Sequence, residues 1–268
     1  AEVFVRALQN VVTMYTLGLS ATMNRKDGLS KVFKLFLGDV VHKEKRKGDN
    51  SVIIKAIEFN SQDDEFNLIE YDYRGNPKYS TMISKLCNYC RRSEFIVEIV
   101  KNELSINSNQ QIMILAHNKN LIKYLFDSIQ HKNIGSVGFY IGGMKEADLK
   151  ISEGKKIIIA TYAMASEGLD IKTLTTLIMA TPKTDVCQSI GRILRTKHTQ
   201  PLVIDIVDGQ DLFKRQWNKR KTYYVKQKYK IIKTDNKNYL KNEWTTEYDI
   251  ENKVEEKKEN IPQGKCLI

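Results

Sequence analysis

Three short apolar runs, each closed by a polar or turn-forming residue, restrict this chain to a narrow set of folds. They are Ile157-Ile158-Ile159-Ala160-Thr161, Thr175-Thr176-Leu177-Ile178-Met179-Ala180 and Pro201-Leu202-Val203-Ile204-Asp205-Ile206-Val207. The first follows a basic edge, Lys155-Lys156, and is apolar without alternation, as a strand buried on both faces of a parallel sheet must be. Between the first two lies a loop rich in small residues, Tyr162 to Ile171; between the last two lies a helical-looking segment. Strand, loop, strand, helix, strand is α/β organisation: a central, mainly parallel sheet flanked by helices. Such sheets bind ligands beyond the carboxyl ends of their strands.

The helical segment, Gln188-Ser189-Ile190-Gly191-Arg192-Ile193-Leu194-Arg195, carries the most pointed chemistry. In a helix, Arg192 and Arg195 share a face, next to a glycine that lets a backbone approach closely. Two rigid guanidinium forks suit a polyphosphate better than a lysine pair does. The same spacing also occurs on solvated helix faces.

The formal net charge of +11 favours a polyanionic partner, although the charge is mixed rather than blocked. No apolar run approaches the roughly 20 residues that span a bilayer, and no signal-peptide pattern opens the chain. These features predict a soluble, intracellular protein with no membrane contact. Cys87 and Cys90 form a C-x-x-C, but no second pair or nearby His pair completes a metal site, and none is expected. Cys266, with Leu267 and Ile268 after it, stands one residue short of a prenylation box, and no prenylation is expected.

Several segments together resemble superfamily 2 helicases. Ala160-Thr161 through Ser166-Glu167-Gly168-Leu169-Asp170 resembles motif V, and Gln188 to Arg195 resembles motif VI. Upstream, Leu17-Gly18-Leu19-Ser20-Ala21-Thr22 with Asn24-Arg25-Lys26-Asp27-Gly28 resembles motif III and the R-x-D-G extension of XPB-type DNA helicases. Ile112-Met113-Ile114-Leu115-Ala116-His117 is similar to motif IV, and Tyr140-Ile141-Gly142-Gly143-Met144 to the glycine turn before motif V. The motifs stand in the family's order across roughly residues 1 to 230. The Lys-, Asn- and Ile-rich composition resembles that of helicases from large DNA viruses.

The resemblance implies a RecA-like second lobe preceded by the end of a first. Residues 1–37 would close lobe 1, 38–51 would connect, 52–232 would form lobe 2, and 233–268 would be a charged, partly disordered tail. ATP would lie between lobes. Arg195 would be the arginine finger, Arg192 a second γ-phosphate contact and Gln188 a nucleotide-sensing residue, because charge spreads onto the γ-phosphoryl oxygens during transfer. Gly168 would permit close backbone approach and Asp170 would accept from the ribose, or alternatively cap a turn. Nucleic acid, with DNA favoured over RNA, would contact Thr161, Gly143, His117, Asn118 and Lys119 mainly through phosphates. Ser20 and Thr22 would couple nucleotide state to strand position. No G-x-x-x-x-G-K-[ST] occurs in the chain, so ATP and Mg are expected to be held principally by a first lobe supplied in cis or in trans. The implied function is the motor lobe of an ATP-dependent helicase. The alternative is a non-catalytic binding module derived from one. The compartment stays open between nucleus, viral factory and virion.

Local patterns complete the expectations. Ala1 to Asn10 reads as a short amphipathic helix, Met14 to Leu19 as a strand, Gly28 to Leu37 as a helix and Val52 to Phe59 as a strand. Asp63-Asp64-Glu65-Phe66 reads as a loop, and Tyr79 to Leu104 as one long helix. Asn120 to Ile129 and Leu212 to Tyr229 read as helices. The latter interleaves basic residues with Phe213, Trp217, Tyr223 and Tyr224, a pattern shared by nucleic-acid faces and by helices packing aromatics onto a sheet.

Overall fold

The computed structural model describes residues 6–7, 9–19, 30–42, 51–166, 171–186, 190 and 201–250. The chain divides into two compact units, residues 1–47 and 48–268.

In the first unit the regular element is α1 (Ser30–Leu37), which fits the expected helix. Arg6, Ala7 and Gln9 are also helical. Residues 11–19 are irregular and exposed rather than the expected strand, with Leu19 at 88% exposure. A strand needs a neighbour to take its backbone N–H and C=O groups, and the described residues of this unit include none. Ser20 and Thr22 lie outside the described residues.

The second unit is built on eight strands. They are β1 (Ile53–Phe59), β2 (Ile112–Ala116), β3 (Val137–Tyr140), β4 (Ile157–Thr161), β5 (Thr176–Met179), β6 (Leu202–Asp208), β7 (Lys230–Asp235) and β8 (Thr245–Tyr248). Their order across the sheet is β3-β4-β2-β5-β6-β1-β7-β8, and every pairing is parallel except β7 with β8. The apolar runs lie where two-sided burial is greatest: β2 and β5 are buried at every position. Period-2 alternation divides them between two cores. Ile112, Ile114, Ile157, Ile159, Ile204 and Ile206 face one, while Met113, Leu115, Ile158, Ala160, Val203 and Val207 face the other.

The first core is covered by α3 (Tyr79–Asn88), α4 (Cys90–Ile106) and α5 (Lys119–His131), through residues such as Leu86, Ile96, Val100 and Leu125. The long helix expected from Tyr79 onward is two helices, because Tyr89 is extended at φ −80, ψ 104. Its ring stacks on Phe66 at 4.2 Å and its hydroxyl bonds Ser61 Oγ at 2.8 Å, contacts a continuous helix would not allow. Phe66 sits in α2 (Asp64–Asn67), one helical turn where a loop was expected. Asp63 caps it, Oδ1 accepting from Glu65 N at 3.0 Å and Phe66 N at 3.1 Å. The remaining helices are α6 (Glu146–Glu153), α7 (Tyr162–Ser166) within the expected loop, and α8 (Asp211–Lys226).

α8 settles the two readings of its basic-aromatic pattern on the side of packing. Phe213, Trp217 and Tyr224 are buried, the last two in the second core. Order also continues past Lys233, where a tail was expected to begin. β7 runs through Lys233, which pairs with Glu58 at 2.7 Å, and Tyr239 is buried with its hydroxyl donating to Glu103 Oε1 at 3.2 Å. Few apolar residues mark this segment; aromatic anchors and ion pairs hold it.

Two ion pairs bracket β6. Asp205 and Asp208 are three residues apart, so they point to opposite faces. Arg92 of α4 grips Asp208 with both Nε (2.6 Å) and Nη2 (2.9 Å), each side chain 0% exposed. Arg220 of α8 grips Asp205 likewise, at 2.7 and 2.8 Å, and Tyr224 donates a third bond to that carboxylate at 2.9 Å.

Candidate functional site

Strand register gathers the candidate residues. Ala116 of β2 pairs with Thr161 of β4, and Leu115 of β2 pairs with Met179 of β5. The carboxyl ends of three adjacent strands therefore coincide, and His117, Thr161-Tyr162 and Ala180-Thr181 emerge side by side. Tyr140 of β3 pairs with Ala160, which brings the Ile141-Gly142-Gly143 turn to the same end.

Thr181 ties the strands together. The backbone N–H of His117 donates to Thr181 Oγ1 at 3.1 Å, and His117 Nδ1 lies 2.8 Å from the same oxygen. The imidazole packs on Tyr162 with centroids 4.6 Å apart. The residue as a whole is exposed, yet partial burial of the imidazole, reinforced by the Lys183 charge, lowers its pKa from 6.5 to about 4. His117 is therefore neutral at pH 7 and can offer hydrogen bonds but no charge.

The connection after β5 is held by its backbone. Three successive carbonyls each accept from a different element: Thr181 O from Tyr162 OH of α7 (2.6 Å), Pro182 O from Tyr79 OH of α3 (3.3 Å), and Lys183 O from Arg220 Nη1 of α8 (2.7 Å). Lys183 Nζ lies over the Tyr162 ring, 5.1 Å from its centroid. Val186 and Ile190 beyond it are both buried, with Ile190 N donating to Val186 O at 2.9 Å.

The other candidates are placed as follows. Thr161 closes β4, its Oγ1 accepting from Met164 N at 3.4 Å, which caps α7. Asn118 caps α5, Oδ1 accepting from Asn120 N at 2.7 Å. Lys119 follows, exposed in the first turn of that helix. Gly143 has φ +91 with open space where a Cβ would project. Gly168, Asp170, Gln188, Arg192 and Arg195 lie outside the described residues. Among the described residues no His, Cys, Asp and Glu cluster could hold a metal ion, and no helix is long and apolar enough to cross a membrane. Cys87 is buried and its thiol is pushed up to about 11 by that burial; Cys90 is exposed.

Sequence reasoning missed Tyr162, Thr181, Lys183 and Arg220. Its signal for Arg220 was misleading, since a basic residue in a basic helix reads as solvated. For the carbonyl contacts there was no signal, because any residue supplies a carbonyl.

No protein-family model matches the chain. In sequence it is 38% identical over 240 residues to the "Putative ATP-dependent RNA helicase L396" of Acanthamoeba polyphaga mimivirus, covering 87% of this chain and 46% of that protein. It is 26% identical over 241 residues to the "Putative helicase 161L" of Invertebrate iridescent virus 6, covering 82% of this chain and 51% of that protein. The chain thus spans about half the length of the curated relatives it matches. In fold it is similar to S. cerevisiae Dbp5 bound to RNA and ADP BeF3, with TM-score 0.60 and 14% identity over 90% of this chain and 56% of that one. The fold is a RecA-like α/β lobe, and the two relatives in sequence carry helicase names from large DNA viruses.

Proposed function

We propose that this chain is the C-terminal motor lobe of an ATP-dependent nucleic-acid helicase or translocase, preceded by the end of a first lobe at residues 1–37. The observation that supports the reading is the register of β3, β4, β2 and β5, which brings Gly143, Thr161, His117 and Thr181 to one end of the sheet. Ligands of open α/β sheets bind at that end.

In this reading nucleic acid crosses the carboxyl ends, contacted by Lys119 through charge and by neutral His117, Asn118, Thr161 and the Gly143 backbone through hydrogen bonds. Arg195 supplies the finger and Arg192 the second γ-phosphate contact, with Gln188, Gly168 and Asp170 facing the nucleotide. The chain has no phosphate cradle of its own, so ATP and Mg sit mainly on the other lobe. The arginines arrive when the lobes close, which couples hydrolysis to motion. The R-x-D-G resemblance favours DNA, while the mimivirus relative is named an RNA helicase, so the test uses both.

In the full-length protein, Arg195→Ala should lower ATP turnover by roughly 10³–10⁵-fold. Binding to a DNA and an RNA oligonucleotide of equal length should persist. Equal loss of turnover and binding would sink the finger role. A parent reading frame without a phosphate loop would sink the catalytic reading and leave the non-catalytic module.

A further inference from the structure

We propose that Lys183 is a phosphate contact for the nucleic-acid backbone. The inference rests on the reading above, in which nucleic acid crosses this end of the sheet.

The position of the charge is unusual. Lys183 follows β5, in the middle of the sheet, and its ammonium is set over the Tyr162 ring rather than against a carboxylate. Among the described residues it has no ion-pair partner. Tyr162 is buried, and its hydroxyl is fixed on Thr181 O, so the platform beneath the ammonium is rigid. On the same ring lies neutral His117, whose Nδ1 is engaged by Thr181 and whose Nε2 has no partner among the described residues. A cation and a hydrogen-bonding ring nitrogen on one aromatic platform suit a phosphodiester, which offers one negative charge and several acceptor oxygens. Lys119, on the neighbouring strand's exit, adds a second cation at this end.

The loop that carries the charge is firmly held, its three carbonyls fixed by Tyr162, Tyr79 and Arg220. The Lys183 side chain takes no part in the carbonyl contacts, so substituting it leaves the loop's own anchoring intact.

The test uses the full-length protein and a fluorescently labelled oligo(dT) 20-mer, with oligo(U) as a second arm. Lys183→Gln should weaken binding roughly tenfold at low salt, as for a lost charge-assisted hydrogen bond. The slope of log affinity against log salt should flatten by about 0.7, one phosphate's share on a single strand. Lys183→Arg, which keeps the charge, should restore the parent's slope. A Lys183→Gln slope equal to the parent's, with Lys119→Ala flattening it, would overturn the Lys183 assignment and leave the nucleic-acid reading standing. If neither variant moved the slope, both would fall. A rise in KM for ATP with an unchanged slope would assign Lys183 to the nucleotide instead and overturn the proposal.

Discussion

The two arginine–aspartate pairs that bracket β6 share one chemistry and differ in reach. Arg92 and Asp208 close on each other: the guanidinium satisfies one carboxylate and leaves Nη1 buried without a partner. Arg220 and Asp205 are the centre of a network. The third guanidinium nitrogen donates to Lys183 O, and the carboxylate also takes the Tyr224 hydroxyl. One pair fastens a helix to a strand. The other fastens a helix, a strand and the loop from which the arginine segment departs. The difference teaches that equal burial and equal geometry do not imply equal roles; what the spare donor touches decides.

The largest effects should appear when either pair is broken. Arg92→Ala and Arg220→Ala each strand a buried carboxylate, and each should cost about 3–5 kcal/mol in urea unfolding. A cost under about 1 kcal/mol for either would mean that its aspartate regains water, and the likeness of the pairs would be lost. Replacing whole pairs sharpens the contrast. Arg92→Met with Asp208→Leu should return stability to near the parent's, with oligonucleotide binding unchanged. Arg220→Met with Asp205→Leu should recover less, because the Tyr224 hydroxyl and Lys183 O lose their partners, and binding should weaken. Identical behaviour of the two double variants in melts and binding would erase the distinction.

The smallest effect concerns His117, at the far side of the same loop. Its pKa in the folded chain is about 4, below the ordinary 6.5, so between these values the unfolded chain binds more protons. The stability it contributes is present above pH 6.5 and is lost as pH falls from 6.5 toward 4. His117→Asn should remove that part of the acid slope in melts recorded across this window. A slope unchanged from the parent's would show that the ring is not held neutral by its packing on Tyr162 and by Lys183.

The parts of the fold legible in the sequence were those where a residue's type alone states its environment. β4, β5 and β6 are apolar on both faces, so their runs announced a buried parallel sheet. Arg92 shows the reverse. It stands in Cys90-Arg91-Arg92-Ser93-Glu94, which reads as a solvated helix face, and only Asp208, 116 residues away, makes its burial possible. Tyr89 breaks a helix through contacts with Ser61 and Phe66, which no helical periodicity encodes. β8 and Tyr239 are held by ion pairs and aromatic anchors, which a polar composition does not announce. Within the candidate site, Thr161, Asn118 and Gly143 were visible as residue types. The carbonyls of Thr181, Pro182 and Lys183 were not, since the backbone is the same at every position.

The turn at Gly143 carries a last consequence. Its φ of +91 is closed to L side chains, yet nothing stands within 4 Å of where a Cβ would be. What an L-alanine of ordinary mutagenesis would meet there is therefore backbone strain and not a clash, and a D-alanine installed by chemical ligation, for which positive φ is the ordinary region, would escape that strain.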